Sequence, residues 1–102
     1  MREFENIVTE TIYEVIRNVF ESDIAEVIFQ YLDESRSKDL DTRLRFFAES
    51  LPKIMGEGSS IIEDLILETV YFKCGRELEW KADHRFVDYL LELRERIEKR
   101  VV

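Results

Sequence analysis

The chain has 102 residues, of which 45% are hydrophobic and 37% charged, and a formal net charge of −8 at pH 7. That mixture describes a globular protein, not a disordered tail, and the length provides one domain over residues 1–102 with a modest core. The single cysteine excludes an internal disulfide, no apolar run is long enough to span a membrane, and the acidic start Met1-Arg2-Glu3-Phe4-Glu5 is unlike a secretory signal, so a cytoplasmic location is expected.

Residues 3–20 read as a first helix. Phe4, Ile7, Val8, Ile12, Val15, Val19 and Phe20 recur at three- and four-residue steps and make one broad apolar stripe. Glu10 and Glu14 lie four apart and could share a metal, but the chain has no Glu-x-x-His pair to complete a bundle site, so a solvated face is the better reading. Ser22 is the expected cap of a second helix that reaches about Asp33, with Ile24, Val27, Ile28, Tyr31 and Leu32 inward. The polar run 34–38 is a loop. A third helix starts near Asp41 and carries Leu44, Phe47, Ala48 and Leu51 inward. Pro52 is expected to kink or break it, with Ser50 capping a short turn through Met55.

Charge is spread unevenly. Residues 1–35 hold nine acids against two bases, whereas 36–55 hold three against five. The basic residues there, Arg36, Lys38, Arg43, Arg45 and Lys53, surround Phe46, and bases interleaved with an aromatic suit a nucleic-acid surface. An acidic chain repels phosphates, however, and a solvated basic face is preferred; a nucleic-acid accessory role for 36–53 stands as the alternative.

Gly56-Glu57-Gly58 lacks the following Lys of a phosphate-binding loop and reads as a hinge between helices. The element the chain is organised around runs from Ser59 to Cys74. Its apolar residues, Ile61, Ile62, Leu65, Ile66, Leu67, Val70, Tyr71 and Phe72, cover most of a helical circumference, so it should be wrapped by the other helices. Ser60 and Glu63 have the spacing of a capping box, with Ser59 and Gly58 as competing caps, and Gly75 stands where a left-handed closing residue belongs. In residues 76–83, Leu78, Trp80 and Ala82 alternate with charged residues as in extended chain. This segment is either a strap over the helices or a strand that pairs with a second molecule; the strap is preferred because its charges discourage edge pairing. The last helix is expected from Arg85 to about Arg100, capped by Asp83, with a stripe of Phe86, Leu90, Leu93, Ile97 and Val101.

Little catalytic chemistry is visible. Cys74 and His84 are the sole residues of their kinds, too few for structural zinc, and the thiol at the end of an apolar helix reads as inert. No dinucleotide fingerprint is present. The expectation is no catalytic, cofactor-binding or metal-binding residues, with a small-ligand pocket around Tyr71 and Trp80 as a further possibility to test.

One resemblance does arise. Gly56-Glu57-Gly58, Ile61-Ile62-Glu63-Asp64-Leu65-Ile66, Tyr71, Gly75, Leu78-Glu79-Trp80 and Phe86-Val87-Asp88-Tyr89 follow the order of the archaeal signalling output domain family first named from Nitrosopumilus, the fifth of that series. About half the chain carries the resemblance. It implies a small helical module in archaeal signal transduction, without assigned catalytic residues.

The expected fold is all-α: a compact bundle of four main helices around a central apolar helix, with a short extended strap before the last helix. The expected function is a non-catalytic protein-interaction or output module that pairs as a homodimer or with another signalling protein. The expected interaction surface is Trp80, Phe86, Leu90, Leu93, Ile97 and Val101.

Overall fold

Helical periodicity dominates the chain, and the fold follows it. The computed structural model describes residues 2–34 and 38–99. Five α-helices run in order: α1 (Arg2–Val19), α2 (Ser22–Glu34), α3 (Leu40–Met55), α4 (Ser59–Lys73) and α5 (Phe86–Lys99), with one 3-10 turn at Gly56–Gly58. No strand occurs among the described residues, so the architecture is all-α.

The core draws on every helix. From α1 come Phe4, Val8, Ile12, Val15 and Ile16; from α2, Ala25 and Ile28; from α3, Leu40, Leu44, Phe47 and Leu51. α4 adds Ile62, Ile66, Leu67, Val70 and Tyr71, and α5 adds Phe86, Val87, Tyr89, Leu90 and Leu93. Thr11 is buried among them, and its hydroxyl donates to the Ile7 carbonyl at 2.7 Å, which removes the penalty of a dry polar group. α4 packs chiefly on α1 and also on α5 and α3, whereas α2 lies on α1 and α3. Two ion pairs tie this arrangement together, Lys73 to Glu14 at 2.7 Å and Arg94 to Asp41 at 2.9 Å.

Several helix ends differ from expectation. α2 begins at Ser22 itself, because the Glu21 carbonyl already accepts from the Ala25 amide at 2.9 Å. α3 starts earlier than Asp41: the Asp39 carboxylate caps it by accepting from the Thr42 amide at 2.8 Å. Pro52 does not break α3, which continues to Met55. Its ring sits on the exposed side while Leu51 stays buried, so packing holds the helix across the one lost donor. Ser50 is accordingly buried within α3 and caps nothing.

The Ser60–Glu63 capping box does not form either. The 3-10 turn delivers Gly58 and Ser59 already in helical conformation, so there is no extended residue at which such a cap could sit; Ser60 instead donates to the Glu57 carbonyl at 3.4 Å. At the other end of α4, Gly75 takes φ 69°, its amide bonds to the Phe72 carbonyl at 3.0 Å, and the Arg76 amide bonds to the Tyr71 carbonyl at 2.9 Å. That pair of reversed bonds is a Schellman closure, as Gly75 suggested. α5 opens one residue late, at Phe86, with the Asp88 carboxylate accepting from the Arg85 amide at 2.9 Å; Asp83, the expected cap, is turned to His84.

The larger departure concerns α4 itself. Its inner face is buried, but Ile61, Leu65 and Phe72 are 64%, 39% and 83% exposed. The expectation that α4 is shielded on nearly all sides is therefore wrong for the single chain. Three neighbouring helices cover its inner arc, and the outer arc has no neighbour.

The two hinge glycines are not equivalent. Gly56 adopts φ 63° and ψ −133°, a region that side chains with a Cβ avoid, whereas Gly58 is helical at φ −66°. Gly56→Ala should therefore lower unfolding free energy by about 1–3 kcal/mol in urea denaturation. Gly58→Ala should raise it by about 0.4–1 kcal/mol by restricting the unfolded chain. A Cβ at Gly58 would meet only the flexible Met55 methyl at 3.4 Å. Equal effects at the two positions would contradict this account.

Candidate functional site

Of the residues expected to form an interaction surface, Phe86, Leu90 and Leu93 are buried in the chain's own core. Ile97 is half-buried against that core, Trp80 is 54% exposed, and Val101 lies outside the described residues. Phe86, Leu90 and Leu93 close the bundle against α3 and α4 and are not open to a partner; Phe86, for example, packs tilted against Phe47 with ring centroids 5.8 Å apart. The exposed apolar faces lie elsewhere, on α4 and on α2, where Ile24, Val27 and Tyr31 point outward.

The densest polar chemistry surrounds the segment from Cys74 to Arg85, which crosses from α4 to α5 without regular structure. It is a strap, and α5 holds it. The Tyr89 hydroxyl accepts from the Lys81 amide at 2.6 Å and donates to the Lys81 carbonyl at 2.9 Å, so one phenol satisfies both backbone groups of that residue. Tyr71 on α4 donates in turn to the Tyr89 carbonyl at 2.7 Å, and burial pushes its own phenol up to about 12. Trp80 packs edge-on against Tyr89 with centroids 5.6 Å apart. Leu78 adds a partly buried apolar anchor.

Beside the phenols lies a cluster centred on Glu92. One carboxylate oxygen accepts from Lys81 Nζ at 2.9 Å and from Arg96 at 2.6 Å; the other meets His84 Nε2 at 2.7 Å. The second imidazole nitrogen, Nδ1, faces Asp83 at 3.0 Å. The bond to Glu92, followed by that to Asp83, raises the His84 pKa, while Lys81 and then His84 hold the Glu92 carboxyl below its usual range. Asp83 is lowered as well, chiefly by His84.

This geometry clamps; it is poorly arranged for proton transfer to a substrate. With each ring nitrogen held by a carboxylate, His84 turns no nitrogen to a substrate, and a carboxylate already bonded to Lys81, Arg96 and His84 is a weak base. Burial raises the Cys74 thiol, which further disfavours the thiolate that nucleophilic attack needs. Among the described residues no cluster could hold a metal, and Glu14 pairs with Lys73 rather than with Glu10.

Trp80 and His84 border a shallow cleft of about 380 Å³ with Glu63, Asp64 and Arg85, where burial, then Asp64, raises the Glu63 carboxyl. Tyr71 does not line that cleft, so the expected Tyr71–Trp80 pocket divides into a buried support and an exposed rim. In the basic stretch, Arg43 is half-buried and donates to Thr9 at 2.7 Å, and the Phe46 ring lies 6.1 Å from Tyr31. Arg36 lies outside the described residues.

The clamp gives the fold a pH signature. His84 has a raised folded pKa, so its contribution to stability is full below its ordinary 6.5 and is lost as pH rises through the folded value. Glu92 is lowered, so its contribution is full above its ordinary 4.5 and is lost as pH falls through the folded value. Melting temperature should decline as pH rises above the ordinary 6.5 of His84 and through its raised folded value, and His84→Gln should flatten that decline. Tyr89→Phe, which strands the Lys81 amide and leaves the Lys81 carbonyl only the His84 amide at 3.2 Å, should cost about 1–3 kcal/mol in urea denaturation. An alkaline limb identical in wild type and His84→Gln, or a neutral Tyr89→Phe, would show that the clamp is not as described.

No protein-family model, no curated protein and no solved structure matches the chain.

Proposed function

We propose that the chain is a non-catalytic protein-interaction module that pairs with a second copy of itself through the outer face of α4. The observation that supports this most is the exposure of Phe72 and Ile61, 83% and 64%, in line with Leu65 on one side of a single helix. An aligned aromatic and aliphatic stripe left in water is a recognised mark of an interaction site. The α2 face is less exposed, and its Tyr31 already rests on Phe46.

The spacing of the stripe argues for a second copy as occupant. Its apolar residues Ile61, Leu65 and Phe72 follow steps of four and seven, and the exposed Glu68 completes the same face. Two such helices laid antiparallel about a two-fold axis set Ile61 against Phe72 of the partner at both ends, as an isologous interface requires. The resemblance to the archaeal output domain family is compatible with this use, because it implies a small helical module in archaeal signal transduction or its regulation, with no established activity. No helix of the described residues is long and apolar enough to cross a membrane.

Pairing brings together two chains of net charge −8, so added salt should screen repulsion and tighten the dimer. A nucleic-acid accessory would show the opposite, with binding that weakens steeply as salt rises. Sedimentation equilibrium should find a dimer at high micromolar concentration. Phe72→Glu should weaken it at least about tenfold without unfolding the chain, since the lost apolar burial is worth about 1.5–3 kcal/mol. A wild-type protein that stays monomeric throughout, or a Phe72→Glu variant that dimerises normally, would refute the proposal.

A further inference from the structure

The chain holds 23 acids and 15 bases, yet Arg43 has no acidic partner among the described residues. Its guanidinium is half-buried and uses one terminal nitrogen to donate to the Thr9 hydroxyl at 2.7 Å. A guanidinium has five N–H donors, so most remain for another acceptor. Arg43 lines a half-open cavity of about 230 Å³ between α1, the end of α2 and the start of α3.

Asp33 lines the same cavity from the end of α2. Its carboxylate accepts from the Tyr13 hydroxyl at 3.1 Å and forms no ion pair with Arg43. Beneath both charges the wall is aliphatic: Val8, Ile12, Leu40 and Leu44 are buried. A cation and an anion are thus held apart around one apolar-floored space. A ligand that carries both charges and an apolar body matches all three features. A simple anion would leave Asp33 unused and facing like charge, and an uncharged hydrocarbon would strip water from both ends without replacing it.

We propose that this cavity binds an aliphatic α-amino acid as its zwitterion. Arg43 receives the carboxylate, for which the flat guanidinium fork is suited; Asp33 receives the ammonium; the half-buried Leu32 and Tyr13, backed by the buried Val8, Ile12, Leu40 and Leu44, receive the side chain. Size supports a small ligand. At about 30 Å³ for each water, the space equals roughly eight waters, below the range typical of drug-sized pockets and suited to a branched aliphatic amino acid. The site lies away from the exposed face of α4 and does not depend on self-association.

The test is a titration of the full chain with L-leucine, followed by amide NMR shifts, which locate the site and give the affinity together. Leucine should move the amides of Thr9, Asp33 and Arg43 with a dissociation constant of about 1 mM or tighter. Isocaproate, which lacks the ammonium, and isopentylamine, which lacks the carboxylate, should each bind at least about tenfold more weakly. Arg43→Gln, which retains a donor for Thr9, and Asp33→Asn should each weaken leucine by at least about tenfold while their spectra remain those of the folded chain. Absence of leucine-induced shifts overturns the proposal. So does isocaproate binding as tightly as leucine, which would make this a plain anion site, or unchanged affinity in either variant.

Discussion

The arrangement turns on one mismatch, between how much of α4 is apolar and how many helices are present to cover it. Ile62, Ile66, Leu67, Val70 and Tyr71 are enclosed by α1, α3 and α5, and this seam sets where the other helices lie. Ile61, Leu65 and Phe72 project from the same helix away from it. A helix that is apolar nearly all round needs neighbours on every side, and a domain of this size buries a smaller fraction of its surface than a larger one. With α2 laid on α1 and α3, no helix among the described residues covers the outer arc. The exposed stripe is therefore a consequence of helix order as much as of its own residues.

The strap solves a different problem. A connection from α4 to α5 that crosses the surface without regular structure must satisfy its own backbone. Tyr89 does this for both groups of Lys81, and Tyr71, reaching from α4, fixes the Tyr89 backbone to which that phenol belongs. The two tyrosines thus join α4, α5 and the strap through three hydrogen bonds. Lys81, His84 and Arg96 then converge on Glu92 and neutralise an acid that would otherwise add to the chain's surplus.

Much of this was legible in the sequence where a single periodicity or a single backbone requirement decided the outcome. The closing glycine Gly75 is of this kind, and so is the α1 stripe as far as Val15, although Val19, expected in the same stripe, is exposed. The strap was also readable, because Leu78 and Trp80 alternate with charges too strong for an edge strand. Errors arose where two local signals competed. Ser60 and Glu63 have capping-box spacing, but the 3-10 turn at Gly56–Gly58 keeps the chain helical before them. Pro52 signals a break, yet the buried residues around it hold α3 intact. Phe86, Leu90 and Leu93, expected at an interaction surface, are needed inside instead, because α5 is one of the three helices that enclose the inner arc of α4. The placement of Arg43 and Asp33 around one cavity had no sequence signal at all, since the two residues are ten apart on different helices and only packing brings them to one space.

A histidine flanked by two carboxylates invites a catalytic reading, and the distances argue against it. In a working acid–base group one imidazole nitrogen is oriented by a carboxylate while the other faces the reacting atom. In His84 both nitrogens meet acids, Glu92 at 2.7 Å and Asp83 at 3.0 Å, so neither faces open space. Freeing Nε2 would require Glu92 to release it, and Glu92 is itself fixed by Lys81 and Arg96. The chain's single histidine is therefore committed to holding the strap. The groups that remain available to another molecule are those whose own fold leaves them unmatched: an apolar stripe on α4, and a cation and an anion that share a cavity without pairing. Both are features of recognition, and they lie on different parts of the surface.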